Sequence, residues 1–326
     1  MNDILYLATE DGVTFRQRKG DTYEPCGQGM KGVGITCITA TSDCVIAGTG
    51  SGIFRSDSGG ESWRKSSRGL HLQHLRWLSH DPQNPEKVLA GTEPAGIFLS
   101  EDSGRGWSEC REVGRFRDEG EWYLPYSPEA GCIRGFAFNG SRAYAAAEVG
   151  GLLVSRTGGT SWELVEGSSG TPDMPEKPGQ IHPDVHSIHV HPSSPDRLLA
   201  CCGGGLYRSD DGGTSWTGIY DCYCRAAWWN PEDPAHIIFG PADSVSEYGR
   251  IEVTHDGGET WQEASRNLNT PWPETMVERF LTVSDHLLAI LSDGAMVESP
   301  LEKVGWQRVM EQEAAINAAC WASVGS

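Results

Sequence analysis

The sequence predicts an all-β fold, namely a single seven-bladed β-propeller that takes up residues 1–326. Three observations lead to this prediction. An octapeptide that ends in tryptophan recurs along the chain, three strand-like segments precede each copy, and the two ends of the chain supply complementary parts of one further blade. The 41 glycines and 18 prolines agree with it, because they indicate many turns rather than long helices.

The octapeptide sets the period of the chain. Five copies read SDSGGESW, SEDSGRGW, SRTGGTSW, SDDGGTSW and THDGGETW, and they end at Trp63, Trp107, Trp162, Trp216 and Trp261. A degenerate sixth copy, SPLEKVGW, ends at Trp306. Successive tryptophans are 44, 55, 54, 45 and 45 residues apart, close to the roughly 40–50 residues of a four-stranded propeller blade. The two longer intervals indicate two insertions of about ten residues each in such a repeat.

Short apolar segments give the strands of each blade. A pair of strands joined by a tight turn precedes each octapeptide, as in VIAGTGSGIFRS before Trp63, and another strand precedes each pair, as in ITCITA. This pattern accounts for six blades. Residues 4–18 match the middle pair of a seventh blade, and residues 315–323 match its first strand. Both ends would then share one sheet, which would close the fold and remove exposed sheet edges.

The octapeptides resemble the Asp box, also called the bacterial neuraminidase repeat, with the pattern Ser-x-Asp-x-Gly-x-Thr-Trp. The resemblance extends from about residue 45 to residue 306. In this respect the chain resembles the Asp-box propellers of the sialidase-like and photosystem II assembly-factor-like groups. It implies a turn between the third and fourth strands of each blade, with the tryptophan packed between blades. The aspartate position is Ser58 in one copy and Thr157 in another, so we expect a structural rather than a catalytic role.

Charge and composition exclude several classes of partner. A formal net charge of −19 disfavours nucleic acid, whose phosphates require a basic surface. The chain contains no apolar window long enough to span a membrane and no recognisable signal peptide, so we expect a soluble, cytoplasmic protein. We expect no cofactor, with a divalent metal as the alternative. The ten cysteines are expected to be free thiols packed as small apolar residues. Cys201-Cys202 and Cys222-x-Cys224 leave a metal or redox pair as the alternative.

A ring of polar residues is the main candidate site. The second residue of each predicted first strand is polar, and in propellers of this kind the first strands begin on one common face. The ring consists of Thr36, Arg76, Arg134, His186, Arg225, Glu278 and Asn317, with Arg279 next to it. The second strands end on the same face with Glu93, Glu148, Asp243 and Asp293.

Two interpretations of this ring stay open. Converging arginines, carboxylates and a histidine would form a concave pocket, in which the planar arginine side chains bind carboxylate, phosphate or sulfate. Alternatively, Arg76, Arg134 and Arg225 pair with Glu93, Glu148 and Asp243 and serve structure alone. Aromatic residues on loops of the same face, Trp122, Tyr123 and Tyr248, would either stack on a ligand or anchor their own loops.

The histidine-rich segment 182–191 suggests chemistry within the ring. His186 is a candidate general acid or base, and Glu148 and Glu93 are further catalytic candidates as a pair of carboxylates for glycoside cleavage. His182 and His186, with Glu148 or Asp184, are weaker candidates for binding a divalent metal.

The sequence therefore supports two functions of different classes. In the first, a small anionic or carbohydrate-like ligand binds in the pocket, with hydrolase or lyase activity possible; the Phe/Tyr-Arg-Ile-Pro motif of sialidases is absent, so a typical sialidase is not expected. In the second, suggested by the resemblance to photosystem II assembly factors, the same face is a non-catalytic scaffold for a polypeptide. The predicted ligand-binding residues are Arg76, Arg134, Arg225, Glu278, Arg279, Asp243, Trp122 and Tyr123.

Overall fold

The computed structural model describes residues 2–123, 131–170, 178–311 and 315–324. In these residues the chain forms seven four-stranded sheets, which is the architecture of a seven-bladed β-propeller. The predicted fold class is thus confirmed. The chain divides into two compact units: unit 1 comprises Met1–Ala145, Val154–Glu163 and Ala314–Ser326, and unit 2 comprises Ala146–Leu153 and Leu164–Glu313. That residues 1–326 form a single domain stays a prediction.

Unit 1 contains three complete sheets. In order of hydrogen bonding they are β28 (Ile316–Val324), β1 (Asn2–Thr9), β2 (Gly12–Lys19) and β3 (Thr22–Gly29); β4 (Ile35–Ala40), β5 (Val45–Thr49), β6 (Gly52–Ser56) and β7 (Arg64–Lys65); and β8 (Leu75–Asp81), β9 (Asn84–Thr92), β10 (Ile97–Ser100) and β11 (Ser108–Glu109). The fourth sheet has residues in both units and consists of β12 (Cys132–Asn139), β13 (Arg142–Glu148), β14 (Gly151–Ser155) and β15 (Glu163–Leu164).

Unit 2 contains the other three sheets. They are β16 (Val185–His191), β17 (Ser194–Cys202), β18 (Gly205–Ser209) and β19 (Thr217–Tyr220); β20 (Tyr223–Trp229), β21 (Ile237–Ala242), β22 (Glu252–Thr254) and β23 (Gln262–Glu263); and β24 (Val277–Val283), β25 (His286–Leu291), β26 (Met296–Pro300) and β27 (Gln307–Met310). In all but the terminal sheet the spatial order of the strands is their order in the chain.

The terminal sheet joins the two ends of the chain, as the sequence predicts. β1 pairs antiparallel with β28, in a register that runs from Asn2 opposite Val324 to Ala8 opposite Ala318. The N-terminal segment also supplies an outer strand, β3, beyond the predicted residues 4–18. Among the described residues, no helix is both long and apolar enough to cross a membrane.

Side chains on both faces of the middle strands are buried. All five residues of β5 are buried, whereas both residues of the outer strand β7 are exposed. Ile46 of β5 belongs to the same apolar cluster as Leu75 and Leu78 of the next sheet. These two sheets therefore pack face to face, and this packing explains why a middle strand such as β5 is a continuous apolar run rather than an alternating pattern.

Hydrogen bonds within each octapeptide turn give it its structural role. In the copy that ends at Trp216, Asp211 Oδ1 accepts hydrogen bonds from the backbone N–H groups of Thr214 and Ser215 at 3.0 and 2.9 Å, and Ser209 Oγ accepts one from Gly213 at 2.9 Å. Gly213 has φ of +91°, a conformation that favours glycine.

Hydroxyl groups replace the carboxylate in two copies. Ser58 Oγ accepts from the backbone N–H of Ser62 at 2.9 Å, and Thr157 Oγ1 accepts from that of Ser161 at 3.0 Å. The turn therefore requires a hydrogen-bond acceptor at this position and not a carboxylate. This agrees with the expectation that the octapeptides are structural.

One insertion contains a helix that the sequence analysis missed. We expected only a loop between the fourth strand of one blade and the first strand of the next, but α1 (Arg111–Glu119) follows β11. Val113 of α1 is fully buried, and Glu112 Oε1 accepts the backbone N–H of Trp162 at 2.8 Å. Apolar residues three apart, Val113 and Phe116, were the available signal. Residues 124–130 and 171–177 of the two insertions lie outside the described residues.

Replacing Trp306 with alanine should strongly destabilise the protein. Trp306 is 1% exposed in an apolar cluster of unit 2, and its indole N–H donates to Ala264 O at 2.9 Å. We expect Trp306→Ala to lower the free energy of unfolding by about 3–5 kcal/mol, and Trp306→Phe by less, in urea denaturation. Tyr123→Ala, at a side chain 58% exposed, is the control and should stay within about 0.5 kcal/mol of the parent protein. Equal effects of Trp306→Ala and the control would contradict this packing role.

The octapeptide aspartates should make stability depend on pH in the acid range. Burial acts against the charged form of Asp211, but hydrogen bonds from Ser215 and the turn backbone outweigh it and lower the pKa of the carboxyl group. Thr254 and Thr260 hydroxyls lower the pKa of Asp256. A carboxyl group with a lowered folded-state pKa stabilises the fold above its unfolded-state pKa, and this contribution is lost as the pH falls. The free energy of unfolding should therefore decrease between about pH 5 and pH 2.

The variant Asp211→Ser tests this assignment, because Ser58 occupies the same position in another copy. The variant should be less stable than the parent protein at pH 7, and the difference should shrink on acidification. Chemical denaturation at several pH values measures both. Parallel pH profiles for the two proteins would show that Asp211 does not contribute in this way.

Candidate functional site

The polar ring residues lie at irregularities in the first strands. The pairing of each first strand with the second shifts register at the polar residue, as at His186 between Val185 and Ser187. A β-bulge of this kind redirects a side chain out of the regular alternation. Such shifts occur at Thr36, Arg76, His186, Arg225, Glu278 and Asn317.

Three of these side chains connect successive first strands. Thr36 Oγ1 donates to Leu75 O at 2.6 Å, and Asn317 Nδ2 donates to Ile35 O at 2.9 Å. In unit 2, His186 Nδ1 lies 2.8 Å from the backbone oxygen of Cys224. Each carbonyl precedes the polar residue of the next first strand by one position. The ring residues therefore hold first strands together, in addition to any role in binding.

The ring contains ion pairs in both units. In unit 1, Arg76 Nε lies 3.4 Å from Glu93 Oε2, as the structural interpretation predicts, and Glu93 is buried. In unit 2, Arg225 Nη1 donates to Glu278 Oε1 at 2.6 Å. The predicted pair of Arg225 with Asp243 is wrong, because the loop after β21 places Asp243 3.2 Å from Arg250.

The remaining predicted arginines lie on first strands. Arg134 is partly buried on β12, and Arg279 follows Glu278 on β24. Both make contacts with other groups.

A cluster of two carboxylates and a histidine lies in unit 2. Glu148, at the end of β13, Asp184, just before β16, and His186 each offer one potential ligand atom, and these atoms lie within 4.8 Å of one another. His186 Nε2 is 3.1 Å from Asp184 Oδ2. Glu148 and His186 are both 3% exposed. The other carboxylate oxygen, Asp184 Oδ1, is buried and has no hydrogen-bond partner.

Tyr223 extends this cluster to the ion pair of β20 and β24. Its ring centroid is 5.0 Å from that of His186, and its hydroxyl accepts from Arg225 Nε at 2.9 Å. The sequence analysis missed Tyr223, because the register shift of β20 at Arg225 interrupts the alternation from which its direction could have been predicted. We use the name unit 2 site for this set: Glu148, Asp184, His186, Tyr223, Arg225 and Glu278.

Unit 2 also contains a cavity at the turn between β17 and β18, and no residue of the unit 2 site lines it. It has a volume of about 500 Å³, and its lining includes Gly204, Tyr207, Tyr220 and Asp221. Gly203, the residue before Gly204, donates its backbone N–H to Asp184 O at 2.9 Å. The cavity therefore begins beside the turn that contacts Asp184.

The other candidates lie apart from this cluster or are buried. His182 contributes no atom to it, and its Nδ1 instead accepts the backbone N–H of Asp184 at 3.2 Å. Trp122 is 4% exposed, which favours the loop-anchoring interpretation over ligand stacking. Tyr123 and Tyr248 are exposed, at 58% and 50%.

The cysteines are free, and most are buried. Burial raises the pKa of Cys224 well above its usual value, so this group is a neutral thiol. Cys201, which lies within hydrogen-bonding reach of Cys224, is fully buried as well. The burial of both thiols agrees with the packing role expected from the sequence.

The pair Arg225–Glu278 should contribute measurably to stability. Both side chains are partly buried and the N–O distance is short, so the attraction is screened less than in an exposed pair. A double-mutant cycle of Arg225→Gln and Glu278→Gln should give a coupling free energy of about 1–3 kcal/mol in urea denaturation. The exposed pair Lys19–Glu24 is the control and should couple more weakly, because solvent and salt screen it. Equal coupling free energies in the two pairs would contradict a special contribution of the partly buried pair to stability.

Comparisons with known proteins identify the fold and no family. No protein-family model and no curated protein matches the chain. Among solved structures, the chain is similar to YCF48 from Cyanidioschyzon merolae, with 15% identity, a TM-score of 0.62 and coverage of 92% of each chain. It is also similar to YCF48 bound to D1 peptide, with 15% identity, a TM-score of 0.60, and coverage of 90% of this chain and 87% of that one.

An ancestral GH74 enzyme is similar at 15% identity and a TM-score of 0.60, over 88% of this chain. This chain spans only 38% of that enzyme. At such low identity these similarities establish the β-propeller fold and leave the function to be argued from the site.

Proposed function

We propose that the chain is an Asp-box-type propeller that binds a small, hydroxyl-rich ligand, such as a carbohydrate, at the unit 2 site and in the cavity at the β17–β18 turn. One observation carries this proposal: two carboxylates, a histidine and a tyrosine converge in unit 2, and a cavity lined by two further tyrosines begins at the turn that donates a hydrogen bond to Asp184. Apolar walls with a few converging polar groups are typical of small-molecule sites.

The charge distribution favours a neutral ligand over the anion that the arginines first suggested. Arg225 already pairs with Glu278 at 2.6 Å, and Arg250 pairs with Glu252 at 2.8 Å. An anion would have to displace a carboxylate from either arginine. Hydroxyl groups can instead donate to the carboxylates and accept from the histidine or the arginines, and tyrosine rings offer surfaces for sugar rings.

A ligand screen tests this proposal. We expect neutral oligosaccharides, but not sugar acids or sulfated and phosphorylated small molecules, to raise the melting temperature, because a ligand that binds only the folded state stabilises it. Asp221→Asn in the cavity and Glu278→Gln in the site should each weaken binding about tenfold in isothermal titration calorimetry, as expected for loss of one charged hydrogen bond.

Glu259→Gln, at an exposed residue outside the site, is the matched control and should bind as the parent protein does. If no small molecule stabilises the folded protein, or if the site variants bind like the control, the proposal is wrong.

A polypeptide-binding scaffold is the second candidate function. It is favoured by two exposed apolar side chains in one loop of unit 2, Val245 at 51% and Tyr248 at 50%. The similarity over nearly the whole of YCF48, a structure solved with D1 peptide, points the same way. Failure of the small-molecule screen, with an intact protein, would move support to this candidate.

A further inference from the structure

We infer that the unit 2 site binds a divalent cation of the Mn²⁺ or Zn²⁺ type, held by His186 Nε2 and by the carboxylates of Asp184 and Glu148. This inference rests on the proposed function only in that it assigns an ion to the same site. The carrying observation is geometric: three potential ligand atoms lie within 4.8 Å of one another, and one of the carboxylates, Asp184, has a buried oxygen without a hydrogen-bond partner.

The tautomer of His186 follows from its partners. A backbone carbonyl can only accept a hydrogen bond, so the 2.8 Å contact with Cys224 O requires His186 Nδ1 to carry the proton. In the neutral imidazole, Nε2 then presents a lone pair. That lone pair lies 3.1 Å from a carboxylate oxygen of Asp184, which also presents lone pairs. In that neutral form, two acceptors face each other across 3.1 Å.

A bound cation removes this mismatch. Metal-binding histidines typically donate the other ring N–H to a backbone carbonyl or a carboxylate, which fixes the tautomer and aims the lone pair at the metal. His186 has this arrangement with Cys224. The alternative is an imidazolium, which would donate from Nε2 to Asp184 and need no metal.

A second observation concerns Asp184. Its Oδ1 atom is buried and has no hydrogen-bond partner, although a buried carboxylate oxygen normally has one. Its Oδ2 atom faces His186. Asp184 therefore has one oxygen without a hydrogen-bond partner and one oxygen that faces His186 Nε2. It belongs to a group of three potential ligand atoms that lie within 4.8 Å of one another.

The donor set indicates the class of ion. One imidazole and two carboxylates suit Mn²⁺ or Zn²⁺, whereas Mg²⁺ and Ca²⁺ prefer oxygen ligands alone. The two carboxylates together match the charge of a divalent ion. Three protein ligands leave at least one coordination position open, and a hydroxyl group of the proposed ligand could fill it.

Gly203 offers a way to disturb the site without removing a ligand. A Cβ atom at position 203 would lie 2.5 Å from Asp184 Oδ2, so Gly203→Ala would push the carboxylate away from His186. Gly203 does not have a positive φ, so alanine is compatible with the backbone there.

Direct binding of the ion tests the inference. The full chain is treated with EDTA, dialysed, and titrated with Mn²⁺ alone, followed by electron paramagnetic resonance, and with Zn²⁺ alone, followed by calorimetry. Mn²⁺ is the main probe because it prefers oxygen ligands to thiolates, so the ten free thiols compete little for it. We expect one equivalent to bind, and at least tenfold weaker binding in Asp184→Asn, Glu148→Gln and Gly203→Ala. His186→Gln is less suitable, because it also removes the hydrogen bond to Cys224.

Glu259→Gln and His71→Gln are matched controls, since both residues are exposed and lie outside the cluster, and they should bind Mn²⁺ like the parent protein. Circular dichroism confirms that each variant is folded. Absence of a bound equivalent in the parent protein, or unchanged binding in Asp184→Asn and Gly203→Ala, would overturn the inference and leave the imidazolium pair. The organic ligand is absent from this titration, so its outcome is independent of the ligand screen. Metal binding without any stabilising small molecule would support this inference and contradict the proposed function. Sugar binding by the EDTA-treated protein without metal binding would support the proposed function and contradict this inference.

Discussion

The hydrogen bond from a bulged polar side chain to the next first strand is the interaction on which the rest of the described structure depends. Thr36, His186 and Asn317 each make it, to the carbonyls of Leu75, Cys224 and Ile35. A regular strand would place these side chains in the alternation of buried faces, whereas the bulge releases them toward the neighbouring strand. The same displacement gathers charged groups at the starts of the first strands, so the device that holds strands together also creates the candidate site.

The carboxylate of Asp184 and the carboxylates of the octapeptide turns differ in their hydrogen bonding. Those of the octapeptide turns, such as Asp211, are saturated by hydrogen bonds from their own backbone and hydroxyl neighbours. Asp184 differs, because one of its oxygens is buried without a partner and the other lies 3.1 Å from His186 Nε2. The repeated acidic motif is therefore chemically satisfied, whereas Asp184, which lies outside the octapeptides, has capacity left for a ligand.

The charges near the unit 2 site agree in sign with the net charge of −19. Arginines near the unit 2 site do not form an open basic surface, since Arg225 and Arg250 are each bound to glutamates. The polar groups that converge there are mainly acceptors. Acceptors favour hydroxyl donors and cations over anions, and this links the proposed ligand class to the inferred metal site.

The sequence by itself determined the fold class and the pairing of the two ends of the chain. The spacing of the tryptophans gave the length of a four-stranded blade. The incomplete blade at each end of the chain predicted the pairing of β1 with β28. Both patterns are visible in the sequence because they depend on local chain geometry. The helix α1 escaped notice because only one short apolar pair marks it. The tertiary structure alone decided which charges meet. Arg225 pairs with Glu278 rather than Asp243, and Tyr223 joins His186, because bulges and loop paths set side-chain directions that strand alternation does not encode. The tautomer of His186 was likewise decided by a carbonyl on the next first strand, 38 residues away in the chain.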